Sequence, residues 1–133
     1  MHTQPVLRTP CPPAVCICGH RALLEQEGAD LRILRLTRHE EKRLIERLEQ
    51  LASYEDLLRV QQRMHEQLGM TLIVEPGHHE VRSMRGLHIQ LAEQPGLCRK
   101  TRKAVPAAVR RALEARPEIA YRLLDSFDLF AGL

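Results

Sequence analysis

Aromatic residues are scarce in this chain, which has two Tyr, two Phe and no Trp among its 133 residues. Proteins that hold single-stranded nucleic acid usually stack the bases on aromatic side chains, so a stacking platform is not expected here. The scarcity also means that any hydrophobic core has to be built from Leu, Val, Ile, Ala and Met.

Long hydrophobic runs are also lacking. No stretch approaches 18 consecutive apolar residues, so the sequence predicts no membrane-spanning helix. Residues 1–10 lack the basic stretch and apolar run of a secretory signal. These two absences predict a cytoplasmic location, where cysteines are expected to be reduced thiols or metal ligands rather than disulfides.

The sequence contains none of the common catalytic motifs. The phosphate-binding loop, the dinucleotide-binding glycine pattern, the serine nucleophile elbow and the HExxH zinc-protease pattern are all missing. No pair of carboxylates stands out at a site-like position. A non-enzymatic function is therefore favoured and no residue is assigned a catalytic role, although distant residues can still assemble an active site.

The composition is that of a globular protein, with 44% hydrophobic and 28% charged residues. The length suits one domain. Residues 1–20 are rich in Pro and Cys and have no helical or strand period, so we expect either a tail or a segment that a metal orders. Residues 21–133 are predicted to form a single globular α+β domain.

Helix dominates the predicted fold. Two amphipathic helices are expected between residues 38 and 69, joined by almost no linker. A hydroxyl residue with an acid three positions later precedes each of them, which is a helix-start pattern. These pairs are Thr37 with Glu40 and Ser53 with Asp56. Two further helices are expected near the C-terminus, the first with Pro106 in its opening turn and the second opened by Pro117.

Short apolar or alternating runs predict the strands. They lie at residues 31–36 and 70–74, and at 81–84 and 87–91, which form one or two strands with Gly86 as a kink or bulge. In the last run apolar residues alternate with His88 and Gln90. The predicted fold class is a helix-dominated α+β protein with the approximate order β-αα-β-β-αα and a small antiparallel sheet.

Cysteine and histidine cluster near the N-terminus in the pattern C-x4-C-x-C-x-H. Thiolate and imidazole groups are the ligands that zinc prefers at tetrahedral structural sites. The candidate metal ligands are Cys11, Cys16, Cys18 and His20, with Cys98 as a distant further thiolate. Zinc is favoured over an iron–sulfur cluster, because the plant-type cluster spacing has two residues between its second and third cysteines and this chain has one.

Two other interpretations of these cysteines remain open. Arg8 and Arg21 lie nearby in sequence and would favour a reactive thiolate, which would make the cluster redox-active. Alternatively, the cysteines are small hydrophobic residues or unused thiols in a tail.

A basic segment lies between residues 94 and 113, which contain six cations and no acid. Since the whole chain carries a formal charge of +3, the remainder carries −3. Such asymmetry is typical of proteins with a polyanionic partner, because Lys and Arg neutralise phosphates and release counterions. The candidate nucleic-acid-binding residues are Arg99, Lys100, Arg102, Lys103, Arg110 and Arg111. The alternative is a solvated helix face with no ligand.

The favoured hypothesis is a small accessory or regulatory protein that binds nucleic acid through residues 99–111 and has a zinc-ordered N-terminal segment. A protein-interaction or assembly factor that binds no nucleic acid, with a protein partner or a second copy of itself, is the first alternative. A redox or iron–sulfur protein that uses the N-terminal cysteines is the second.

Overall fold

The computed structural model describes residues 7–9, 18–77 and 83–131, with side chains to residue 127. These residues form five α-helices, two short 3₁₀ helices and one two-stranded antiparallel sheet. The α-helices are α1 (His20–Glu25), α2 (Arg38–Glu49), α3 (Tyr54–Leu68), α4 (Arg99–Ala115) and α5 (Pro117–Ala131); the strands are β1 (Leu72–Pro76) and β2 (Leu87–Leu91). The predicted helix-dominated α+β class is confirmed.

The two central helices begin where their capping patterns predict. The hydroxyl of Thr37 accepts a hydrogen bond from the Glu40 backbone N–H at 3.2 Å. Ser53 accepts one in the same way from the N–H of Asp56, at 3.1 Å. Each bond satisfies a backbone donor that the first turn of a helix leaves unpaired. Gly69 then ends α3 in the left-handed conformation, with φ of 68°.

The sheet pairs β1 with β2 so that Val74 lies opposite Ile89. In β2 the side chains of Leu87 and Leu91 are buried whereas His88 and Gln90 are exposed. The predicted alternation in this strand is therefore confirmed, and one face of the sheet covers the core.

The strand predicted at residues 31–36 is wrong. These residues contain a 3₁₀ helix, Arg32–Arg35, in which the adjacent residues Ile33 and Leu34 are both buried. An extended strand would have turned neighbouring side chains to opposite faces. The conformation is held by Arg32, whose Nη1 donates to the carbonyls of His65 and Glu66 at 3.0 Å each, at the end of α3.

The strand predicted at residues 81–84 is not present at its two described residues, 83 and 84. Residues 81 and 82 lie outside the described part of the chain, and Met84 begins the second 3₁₀ helix, Met84–Gly86. The Ser83 hydroxyl accepts a hydrogen bond from the Gly86 N–H at 3.3 Å, which closes this turn and ends any extended segment at Ser83.

Pro106 lies inside α4 rather than in its first turn, because the helix already begins at Arg99. The proline removes the backbone bond to the carbonyl four residues earlier. Burial on both sides of it keeps the helix continuous, since Val105 and Val109 are 0% exposed. The prediction that Pro117 opens the next helix is confirmed.

Helix α4 occupies the centre of the molecule and packs against α2, α5 and β2. Its inner face consists of Thr101, Val105, Ala108, Val109, Ala112 and Leu113, all of them buried. Helix α3 packs instead against the first 3₁₀ helix, α5 and β1. The two helices of the α2–α3 pair therefore rest on different parts of the core.

An ion pair joins α2 to α3 beside their short linker. Asp56 accepts from Nη1 of Arg47 at 3.0 Å and also pairs with Nη2 of the same guanidinium. The same carboxylate accepts from the Ala52 backbone N–H at 3.0 Å. Arg59 Nη1 lies 3.5 Å from Oδ1 of the same carboxylate. Only 8% of the Asp56 side chain is exposed, so these charge-assisted contacts satisfy an otherwise buried charge.

We predict that Asp56→Asn lowers the free energy of unfolding by about 1.5–3 kcal/mol, because hydrogen bonds to a charged group are lost. Arg47 also holds the pKa of Asp56 below its ordinary value of 3.8. The ionised form is therefore favoured in the folded state, and its stabilisation is present at neutral pH and lost as the pH falls below about 4. Denaturant unfolding between pH 7 and pH 3 checks both effects. Equal pH profiles for the two proteins would contradict this role of Asp56.

Candidate nucleic-acid interface and metal-binding segment

The outer face of α4 carries most of the cations of the predicted basic segment. At 100° per residue, Arg99, Lys103 and Arg110 fall within a sector of roughly 40°, with Lys100 and Arg111 beside it. The buried face lies on the opposite side of the helix. From Arg99 to Arg111 this basic face extends about 18 Å, at 1.5 Å per residue.

The cations of this segment differ in their contacts. Arg99, Lys100 and Lys103 are exposed and make no ion pair within the described part of the chain. Arg102 lies towards one edge of the face, where Nη1 is 3.4 Å from Oε1 of Glu93. Arg111 Nη2 pairs with Glu49 Oε1 at 2.8 Å. Arg110 Nη2 donates to the Leu87 carbonyl at 3.0 Å. Arg99, Lys100 and Lys103 are therefore the cations most open to a ligand.

These cations have the wrong sign for their position in the helix. The N-terminal end of a helix carries a partial positive charge, so a cation in the first turn is unfavourable by roughly 0.3–1 kcal/mol. The first turn of α4 contains Arg99 and Lys100 and has no acidic residue. An anion bound there would be attracted both by the side chains and by the free backbone N–H groups.

A concavity of about 730 Å³ lies beside this end of α4. It is lined by Cys18, Glu93, Gln94, Pro95 and Leu97 together with Arg99, Arg102 and Lys103. A hydrogen bond of 2.7 Å from the Gly96 N–H to the Cys18 carbonyl brings the N-terminal segment here. Gly96 has φ of 86°, and a Cβ on it would lie 2.8 Å from the Ile33 side chain. Both the backbone conformation and the close contact with Ile33 therefore favour glycine at this position.

Two of the predicted metal ligands, Cys18 and His20, lie in this N-terminal segment. Arg8 bonds to this segment and to the loop before α4. Its Nη2 lies 3.8 Å from Sγ of Cys18 and donates to the Gly96 carbonyl at 2.6 Å. Its own carbonyl lies 2.8 Å from Nε2 of His20. Both candidates are therefore held in place by the same arginine.

His20 is the more informative of the two, because it is only 5% exposed. A carbonyl oxygen can only accept, so Nε2 carries the proton in the bond to Arg8, and in the neutral ring Nδ1 then bears the lone pair. This buried Nδ1 has no hydrogen-bond partner among the described residues. Metal-binding histidines commonly have this arrangement, in which one nitrogen donates to a backbone carbonyl and the other faces the ion.

The remaining predicted ligands lie elsewhere. Cys98 is the residue that precedes α4, and its sequence neighbours Leu97 and Arg99 line the same concavity as Cys18. Cys11 and Cys16 lie outside the described residues. Within the described ranges, no group of three or more His, Cys, Asp or Glu side chains is arranged to hold a metal ion.

A second basic surface was missed by sequence reasoning. The groove between α2 and α3 has a volume of about 1110 Å³, and its lining includes Arg35, His39, Arg43, Arg47, Arg59 and Arg63. The four-residue spacing of Arg43 with Arg47, and of Arg59 with Arg63, is the local signal that indicates one basic face on each helix. The sequence did not indicate that these two faces meet.

No helix in the described part of the chain has both the length and the apolar character needed to cross a membrane. Comparison of the chain with models of known protein families, with curated proteins and with solved structures gives no match. Its function is therefore argued from the geometry of these surfaces.

We predict that Arg99→Gln raises the free energy of unfolding by about 0.3–1 kcal/mol, because it removes a cation from the first turn of α4. Arg85→Gln, an exposed cation outside any α-helix, is the matched control and should change it little. Denaturant unfolding at low salt measures both, and the gain should shrink at high salt. A loss of stability in Arg99→Gln would show that this cation has a favourable partner in the folded protein.

Proposed function

We propose that this chain is an accessory protein that binds the phosphate backbone of nucleic acid through the outer face of α4. The observation that carries the proposal is the run of exposed cations at Arg99, Lys100 and Lys103, the first two of which lie in the first turn, where the helix dipole disfavours them. A bound phosphate would turn this unfavourable arrangement into a favourable one.

The dimensions of the face suit a duplex backbone. Phosphates along one strand rise by 3.4 Å, so a face of about 18 Å spans roughly five of them. The buried inner face of α4 fixes the helix in the core, so the cations need no folding step to reach the ligand. Since Arg and Lys here meet phosphates and few aromatic residues are present, the binding is independent of base sequence.

Binding to a short DNA duplex, followed by fluorescence anisotropy at several salt concentrations, tests the proposal. Arg99→Glu with Lys103→Glu should weaken binding and lower the slope of log K against log salt by about 2, close to 0.9 for each lost phosphate contact. Arg21→Glu with Arg85→Glu makes the same change in net charge at exposed residues outside α4 and should preserve the slope. Salt-insensitive or absent binding by the unaltered protein, or equal losses in both variants, would refute the proposal.

We also propose that zinc orders the N-terminal segment. The support is the buried Nδ1 of His20, which lacks a partner among the described residues and whose ring is oriented by the Arg8 carbonyl. His20 and Cys18 would supply two ligands, and the remaining thiolates come from the set Cys11, Cys16 and Cys98. Zinc bound here would be structural, because four protein ligands leave no open position for chemistry.

Metal analysis and an absorption spectrum of protein purified without oxygen check this second proposal. We expect about one zinc per chain, lost on replacing Cys16 and Cys18 with serine and strongly reduced by His20→Ala. Cys98→Ser tests the more distant thiolate separately. Iron with labile sulfide and visible absorption would show that the segment binds an iron–sulfur cluster instead of zinc. Metal-free protein whose unfolding temperature does not change after chelation would refute metal binding.

A further inference from the structure

The α2–α3 groove exists because its two helices rest on different supports. Helix α2 packs against α4, whereas α3 packs against α5, β1 and the first 3₁₀ helix. The ion pair between Arg47 and Asp56 joins them beside the linker. Away from that joint the helices leave an open groove of about 1110 Å³. Along α3, from Arg59 to Leu68, the groove runs for about 14 Å.

The rim of the groove is strongly positive. Five arginines line it and the single acidic side chain in the lining is Glu40. Glu40 pairs only loosely with Arg43, whose Nη1 is 3.7 Å away on a side chain that is 68% exposed. Arg35 and Arg63 are exposed and make no ion pair among the described residues. Arg47 and Arg59 both pair with the Asp56 carboxylate. The five arginines still outnumber Glu40 and Asp56, so the rim has an excess of positive charge.

The floor of the groove is apolar. It is formed by Leu36, Leu44, Val60, Met64 and Leu68. Leu44 and Leu68 are only half-buried, so they leave apolar surface open between the two rows of arginines. The other three floor residues are at most 5% exposed, so Leu44 and Leu68 supply most of the apolar surface of the floor.

An apolar floor between cationic rims complements an amphipathic helix that is acidic on its flanks. Apolar side chains at positions i, i+3 or i+4, and i+7 would contact the floor, as in other helix-in-groove complexes. Flanking carboxylates would meet Arg43 on α2 and Arg59 and Arg63 on α3, and guanidinium groups bind carboxylates through paired hydrogen bonds. A helix of about three turns is long enough to fill the groove.

Other occupants match the groove less well. Among the described residues, no Phe, Tyr or Trp lines the groove to stack on bases, and a phosphate backbone would leave the apolar floor between the arginines uncovered. The chain's own first 19 residues contain no acidic residue, so they do not complement the arginines.

We propose that the α2–α3 groove docks an acidic amphipathic helix of a partner protein. This surface is separate from the basic face of α4. Glu49 on α2 faces α4 through its pair with Arg111, whereas Arg43 and Arg47 line the groove. The proposal therefore does not depend on nucleic-acid binding by α4.

Fluorescence anisotropy with synthetic peptides tests it. The probe is a labelled helical peptide with Leu at helical spacing and Glu on its other faces. A second peptide has the same composition with the leucines spread around the helix, and poly-glutamate and a short single-stranded DNA are further probes. We expect the amphipathic peptide to bind at least about tenfold more tightly than the scrambled one.

Charge reversal in the chain locates the site. Arg43→Glu with Arg63→Glu should weaken peptide binding by at least about tenfold, and Arg21→Glu with Arg85→Glu should leave it unchanged. Circular dichroism verifies that each variant folds, and Arg47 is left intact because of its bond to Asp56. The proposal is overturned by absent binding, by equal binding of the scrambled peptide or poly-glutamate, by a loss of DNA binding in Arg43→Glu with Arg63→Glu as large as the loss of peptide binding, or by loss of peptide binding only in Arg99→Glu with Lys103→Glu.

Discussion

The burial of one face of α4 is the constraint on which the rest of the structure depends. Val105, Ala108 and Val109 on that face are all 0% exposed, and they contribute to the core shared with α2, α5 and β2. Because a helix has a period of 3.6 residues, fixing this apolar face inside also fixes the opposite face in solvent. The cations from Arg99 to Arg111 are therefore displayed on the most firmly anchored helix of the molecule.

The same anchoring shapes the second basic surface. Helix α2 is held on α4 from one side, and Arg111 contacts Glu49 there at 2.8 Å. The opposite side of α2 carries Arg43 and Arg47 into the groove that α3 completes. Asp56 keeps the two helices joined near the linker without closing the groove. Helix α2 thus separates two positive surfaces.

Local signals in the sequence were sufficient for several elements. The caps at Thr37 and Ser53 and the alternation in β2 depend on residues close in sequence, and each is confirmed. The predicted strand at 31–36 failed because Arg32 bonds to carbonyls more than 30 residues away. Pro106 lies inside α4 because the burial of Val105 and Val109 outweighs the preference of proline for the first turn of a helix. The α2–α3 groove was missed because the basic faces of α2 and α3 come together only through tertiary packing.

Mapping of backbone amide chemical shifts during titration with a short DNA duplex would test most directly whether α4 is a phosphate-binding helix. The protein is small enough for each amide signal to be followed. We expect the largest changes in residues 99–111, with smaller changes at Cys18 and Glu93, which line the concavity beside Arg99. Shifts confined to residues 35–47 and 59–68, or no shifts at all, would contradict the assignment of the nucleic-acid interface to α4.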